Sequence, residues 1–155
     1  MAAGAWQVYG LGIEAMLENV IGALNDTGTP RYRMVLVTSA YTPSDNVHAT
    51  WTDVSANEVA AAGGYSTHGK LLTSTVVHAA GTATYDCDDQ SWTSSTITAK
   101  YAVIVEDADA NAALASTDRL VAYSDLDTGG GSVSTTSGTF AVNINASGVF
   151  TVAQV

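Results

Sequence analysis

The sequence predicts a mainly β domain, an antiparallel sheet or β-sandwich, with one N-terminal amphipathic α-helix. Three observations carry that expectation. The composition is 46% hydrophobic and only 13% charged, thin in Lys, Arg and Pro and thick in Ala, Thr, Ser, Val and Gly. β-Branched side chains suit a pleated surface, and Gly, Ser, Asn and Asp suit its turns. One stretch near the N-terminus has helical periodicity, and the chain after Pro30 changes to short runs with period-two alternation. A chain of 155 residues has the size of one domain with one self-sufficient core. The expected organisation is an N-terminal arm over residues 1–12 and a single β-rich domain over 13–155, with a long loop over 40–69.

The helix is read from "GLGIEAMLENVIGAL", Gly10 to Leu24. Ile13, Met16, Leu17, Val20, Ile21 and Leu24 recur at i, i+3, i+4, i+7 spacing, with Glu14, Glu18 and Asn19 on the other side. It is expected to stop in "NDTGTP", where Asn25 and Gly28 tolerate left-handed backbone and Pro30 prevents continuation. With no Lys or Arg on its polar face, it reads as a helix packed on a sheet rather than on a membrane surface.

Six strand-like runs follow, starting at Arg31, Lys70, Thr96, Arg119, Gly138 and Gly148. Phe140, Val142 and Ile144 are expected on one face, and Ile97, Ala99, Tyr101, Val103 and Val105 on another, with Ile104 opposite them suggesting cover on both sides. "NASG" between the last two runs predicts a C-terminal hairpin. The segment from Tyr41 to Gly69 is about thirty residues, long for a structureless connection and therefore expected to be functional or partner-facing. "LDTGGGSVSTTSG" is a second irregular segment.

Fifteen acidic against five basic residues give a net charge of −10, which repels phosphate backbones, so nucleic acid is not an expected partner. No stretch reaches the ~18 apolar residues of a membrane span, and "MAAGAW" lacks the features of a secretion signal, so no membrane association and synthesis in the cytoplasm are expected. Cys87 stands alone, which leaves neither an internal disulfide nor a cysteine-based zinc site.

"GYSTHGKLL" from Gly64 to Leu72 comes within one residue of a phosphate-binding loop. That motif needs a hydroxyl after the lysine and a following helix; here Leu71 replaces the hydroxyl and "KLLTSTVV" reads as a strand. The acids of "YDCDDQ", "VEDADAN" and "SDLDTGGG" lack the spacing of a helix-flanked calcium loop and read as solvated loop acids. His48, His68 and His78 fit no zinc spacing. There is no G-x-S-x-G elbow, and the aspartates around Cys87 raise its pKa. No catalytic residue, cofactor or metal is expected. Asn25 and Asn145, in glycosylation-type tripeptides, read as turn residues.

The blocks "MVLVTSAYTPSDNVHATWTDVSANEV", "GGYSTHGKLLT", "TITAKYAVIV", "LVAYSDL" and "GTFAVNINASGVFTV", in this order, resemble a family of small structural proteins encoded among the virion genes of tailed bacteriophages. The similarity runs from about Ile13 to Val152. In that family the loop before the second strand reads like "GYTAGGKTLT", so "GYSTHGKLLT" is the version of a loop-to-strand junction found here, with His68 departing from the family's small residue. The resemblance implies a non-enzymatic virion component, a head decoration or cement protein bound to the capsid exterior. Its partners would be the major capsid protein and further copies of itself, with a trimer preferred. Tail, neck or host-binding modules are the alternative, including a carbohydrate- or calcium-dependent one suggested by the loop acids and Trp6, Trp51 and Trp92. Aromatics are enriched at interface cores, so Trp6, Tyr9, Tyr41, Trp51 and Tyr65 are the candidate contact residues; the competing reading makes them anchors that pin loops onto their own domain.

Overall fold

A computed structural model describes residues 4–25 and 31–154 and is mainly antiparallel β, as expected. Its centre is a five-stranded sheet. The strands are β1 (Gln7–Val8), β2 (Tyr32–Val37), β3 (Lys70–Leu72), β8 (Tyr101–Glu106) and β9 (Leu120–Asp125), in the order β1-β9-β8-β2-β3. Two further ladders pack against one face: β4 (Ser74–Ala79), β5 (Thr82–Cys87) and β12 (Phe150–Ala153) in the order β12-β5-β4, and β6 (Gln90–Ser95) with β11 (Gly138–Val142). A small pair joins β7 (Thr98–Ala99) to β10 (Val133–Ser134).

The central strands are buried on both faces because two cores flank them. On one side Met34, Leu36, Ala102, Ile104 and Ala122 meet Tyr85, Trp92, Phe140 and Val142 from the smaller sheets. On the other, Val35, Val37, Val103, Val105 and Leu120 are covered by Tyr9, Tyr41, Trp51, Val54 and Leu114. All six residues of β2 are buried, the pattern of a strand with cover above and below. Ile104 accordingly lies opposite Val103 and Val105, as its sequence position suggested.

The helix departs from its expected form. Helix α1 spans Gly10–Leu17, ending seven residues before Leu24. Asn19 takes a left-handed φ of 57°, with the Val20 amide donating to the Ala15 carbonyl and the Asn19 amide to Met16, a Schellman stop. The turn expected at Gly28 and Pro30 lies outside the described residues. The buried face also differs: Gly12 and Ala15 are buried, while Ile13, Leu17 and Val20 are 47%, 83% and 49% exposed. Close approach decides this, because a Cβ on Gly12 would stand 2.7 Å from the Leu120 carbonyl oxygen. The helix therefore rests on β9 through its small residues.

Two strand expectations also change. The run from Thr96 breaks at Lys100 and reverses phase, so that Ile97 and Ala99 enter the same core as Ala102 and Ile104, while Val103 and Val105 face the other core. Lys100 is buried at the break, its Nζ 2.7 Å from Asp125 Oδ1 and donating to the Asp127 carbonyl at 2.6 Å. The expected C-terminal hairpin is absent: β11 pairs with β6 and β12 with β5. "NASG" does turn, with the Gly148 amide on the Asn145 carbonyl at 2.7 Å, but the turn carries the chain from one sheet to the next.

Candidate functional site

Four of the five candidate contact aromatics are interior. Tyr9, Tyr41, Trp51 and Tyr65 are at most 5% exposed, which corrects their assignment to a docking surface and leaves them as anchors of their own domain. Tyr9 and Tyr41 share a hydroxyl hydrogen bond of 2.8 Å, and Tyr41 continues to His48 Nδ1 at 2.9 Å. Burial, followed by the surrounding acids and phenols against the opposing Tyr9 bond, pushes the Tyr41 phenol up to about 12. Tyr65 donates to Glu58 Oε1 at 2.8 Å and accepts from the Leu36 amide at 3.1 Å. Trp51 is clamped through its amide to the Asp118 carbonyl at 2.8 Å and packs its ring edge-on to His68 at 5.9 Å.

The Tyr41 to Gly69 segment is thus a built part of the fold. It contains a short helix α2 (Thr52–Ser55) and bridges to Arg119 through Thr50 and to Val37 through Glu58. Burial alone would raise the Asp53 carboxyl, but hydrogen bonds from the Thr50 and Ala49 amides at 2.9 Å outweigh it and hold the group below its ordinary value. The N-terminal arm is likewise tied down, with Gln7–Val8 paired to Tyr123 and Ala122 and the Gly4 amide on the Asp125 carbonyl at 2.7 Å.

"GYSTHGKLL" becomes a turn that enters β3. His68 and Gly69 are successive left-handed residues with φ of 65° and 58°. Their carbonyls face inward, accepting from Arg33 Nε at 2.6 Å and Nη2 at 3.3 Å. A phosphate cradle points amides at its anion, whereas the His68 amide is taken by Glu58 Oε1 at 2.6 Å. Lys70 donates to the Ser91 carbonyl and lies over the Trp92 ring, 5.3 Å from its centroid.

The acid-rich loops spend their oxygens on backbone amides. Asp88 accepts from Thr73, Asp89 from Ile144, Asp107 from Asn111 and Ala112, and Asp127 from Gly129. Among the described residues no three His, Cys, Asp or Glu side chains converge as a metal site. The Cys87 thiol is buried and pushed up to about 12, by burial first and then by Asp86 and Asp88. Such a thiol is inert at neutral pH. Among the described residues no helix is long and apolar enough to cross a membrane.

The concavity lies elsewhere. A groove of about 850 Å³ runs between the N-terminal segment, the end of β9 and the stretch from Phe140 to Val149. Its lining combines half-buried Trp6 and buried Leu126, Phe140 and Val142 with exposed Asn143, Asn145 and Ser147. Trp6 is half-buried and is the candidate aromatic that stays partly accessible. Among the described residues no acid, base, thiol or phenol lines the groove, so they offer shape, apolar contact and neutral hydrogen bonds. Sequence reasoning found Trp6 but missed the rest, because its members come from segments more than a hundred residues apart. A signal was present: no Asp, Glu, Lys or Arg occurs after Asp127, which is uneven for a chain of this charge.

In comparisons with protein-family models, curated proteins and solved structures, the chain matches none.

Proposed function

We infer that the chain is a non-enzymatic binding protein of the virion of a tailed bacteriophage, a decoration or cement protein that lies on the capsid exterior and contacts the major capsid protein. The virion assignment rests on the ordered sequence blocks between Ile13 and Val152. The observation that carries the binding role is the chemistry of the groove, whose lining among the described residues is apolar and neutral polar, with Trp6, Phe140, Asn143 and Asn145 in it. General acid–base or nucleophilic catalysis needs titratable groups within hydrogen-bond reach of a reacting atom, whereas recognition by apolar contact and neutral hydrogen bonds does not.

Charge placement supports the same reading. Arg33 and Lys100 are 6% exposed, Lys70 is committed to Ser91 and Trp92, and the acids dominate what remains outside. A surface of this sign repels nucleic acid, and the uncharged groove is a place where another protein can dock without facing acids. Purified particles test the assignment: antibody labelling of intact heads, read by electron microscopy, is expected to decorate the shell. Label confined to tails, or absent from particles, overturns it. A second reading, a host-glycan module, draws on Trp6 beside Asn143, Asn145 and Ser147. Trp51 and Trp92 are withdrawn from it by burial. Binding of neutral glycans in a titration would favour that reading.

A further inference from the structure

We propose that two copies of this chain join through the outer edge of β4, making one continuous six-stranded sheet from the two β12-β5-β4 ladders. The inference is independent of the virion assignment and concerns the free protein.

In the β12-β5-β4 ladder β4 is terminal, with β5 on one side and no described strand on the other. Five of its six residues are exposed, including Val76 at 37% and Val77 at 59%. A solvent-facing edge presents a row of unpaired backbone donors and acceptors, and proteins that stay single blunt such edges with Lys, Pro, bulges or very short strands. None of these devices is present. The strand reads "STVVHA", without charge or proline, and its pairing to β5 runs from Ser74 to Ala79 with no register shift. The contrast within the molecule is direct: the edges of the central sheet are strands of only two and three residues, β1 and β3.

Charge argues for a second copy as the occupant. Two chains of net charge −10 repel wherever their acids face one another. Between Ser74 and Tyr85, and from Thr128 onward, there is no Asp, Glu, Lys or Arg, so β4 and β12 form an uncharged surface on an acidic molecule. A basic partner gains nothing from it, and a like surface loses nothing. The same edge serves both copies in a two-fold pairing, so the contact closes on itself and leaves no edge at β4. A two-fold normal to the sheet places one residue opposite itself. Val77, the more exposed valine, is the centre that covers the greater apolar area; it sets Val76 against His78 and Thr75 against Ala79 across the interface.

Sedimentation equilibrium of the free protein, from micromolar to about a hundred micromolar, tests this. The expected result is a monomer–dimer equilibrium. Val77→Lys, which places two like charges opposite each other, is expected to weaken the dimer by at least about tenfold. Val47→Lys, at a position 68% exposed on another part of the surface, and Val152→Lys, on the opposite edge of the same ladder, are expected to leave it unchanged. Circular dichroism confirms folding of each variant. Val77→Cys in the same pairing is expected to form an interchain disulfide on mild oxidation, with Cys87 buried and silent. A monomer throughout the range, a trimer, or a dimer lost in Val152→Lys but kept in Val77→Lys overturns the proposal.

Discussion

Gly69 shows how closely a single residue can be specified. Its φ is 58°, and a Cβ there would lie 1.9 Å from the Met34 carbonyl oxygen. The backbone turns from the loop onto the edge of β2 with no room for a side chain, and the strain of left-handed geometry adds to the overlap. Gly69→Ala is expected to destabilise the fold by roughly 3 kcal/mol or more, because relief requires moving β2 itself. Urea denaturation read by circular dichroism measures this. A loss within about 0.5 kcal/mol, typical of unconstrained surface positions, would mean that the turn is not as tight as described. Glycine and lysine in "GYSTHGK" therefore answer to packing: the glycine to the approach of two strands, the lysine to Trp92 and the Ser91 carbonyl.

At the scale of elements, β11 and the Trp51 segment each supply one core. Phe140 is 2% exposed and Trp51 5%, the first packed edge-on to Trp92 at 6.2 Å and the second beneath the other face of the central sheet. Phe140→Ala and Trp51→Ala are each expected to cost about 3–5 kcal/mol, and Asn143→Ala, at an exposed position, under about 0.5. Thermal melts of the isolated protein check both. A Trp51→Ala protein as stable as the parent would return that residue to the surface. Period-two alternation was legible for β11, since Phe140 and Val142 are buried and Thr139 and Ala141 exposed. β2 and β9 were legible as strand-like runs without alternation, since both are buried almost throughout. Strands β5 and β6 were not, because "TATYDC" and "QSWTSS" carry Thr, Ser and Asp outward, and only Tyr85, Cys87 and Trp92 mark their inner faces. The helix misled for a different reason. Hydrophobic periodicity assumes that large apolar side chains face the core, whereas α1 is seated by Gly12 and Ala15 and leaves Ile13 and Leu17 outside. The loop aromatics were legible as anchors or as contacts; only burial separates the two, and burial depends on the whole sheet.

Across the whole molecule, acids outnumber bases threefold and several are interior. Burial first, and then Asp118, raises the Glu106 carboxyl against the opposing Gly22 amide; burial also raises Asp118. A carboxyl with a raised folded pKa contributes stability that is full below its unfolded value of about 4 and is lost as pH rises through the folded value. Asp53, lowered in the fold, contributes above about 4 and loses that contribution as pH falls through its lowered value. The melting temperature is therefore expected to rise as pH is lowered from neutral towards the ordinary carboxylate value of about 4, and to fall again below it. Glu106→Gln should flatten the rise. A melting temperature that declines steadily from neutral pH to 5 would contradict the electrostatic account. The groove lining and strand β4 carry no Asp, Glu, Lys or Arg among the described residues, and these are the two surfaces proposed for contact with another protein.

The most direct test of the proposed docking of the groove on a phage capsid is co-sedimentation of the purified protein with phage heads assembled without it. Ala141 is an exposed residue of the groove lining, and Ala141→Arg places a long charged side chain at the groove. Leu17→Arg makes the same change at an 83% exposed position on α1. Binding lost by more than about tenfold in Ala141→Arg and retained in Leu17→Arg, with both variants melting like the parent, is the predicted result. Full binding by folded Ala141→Arg would contradict it.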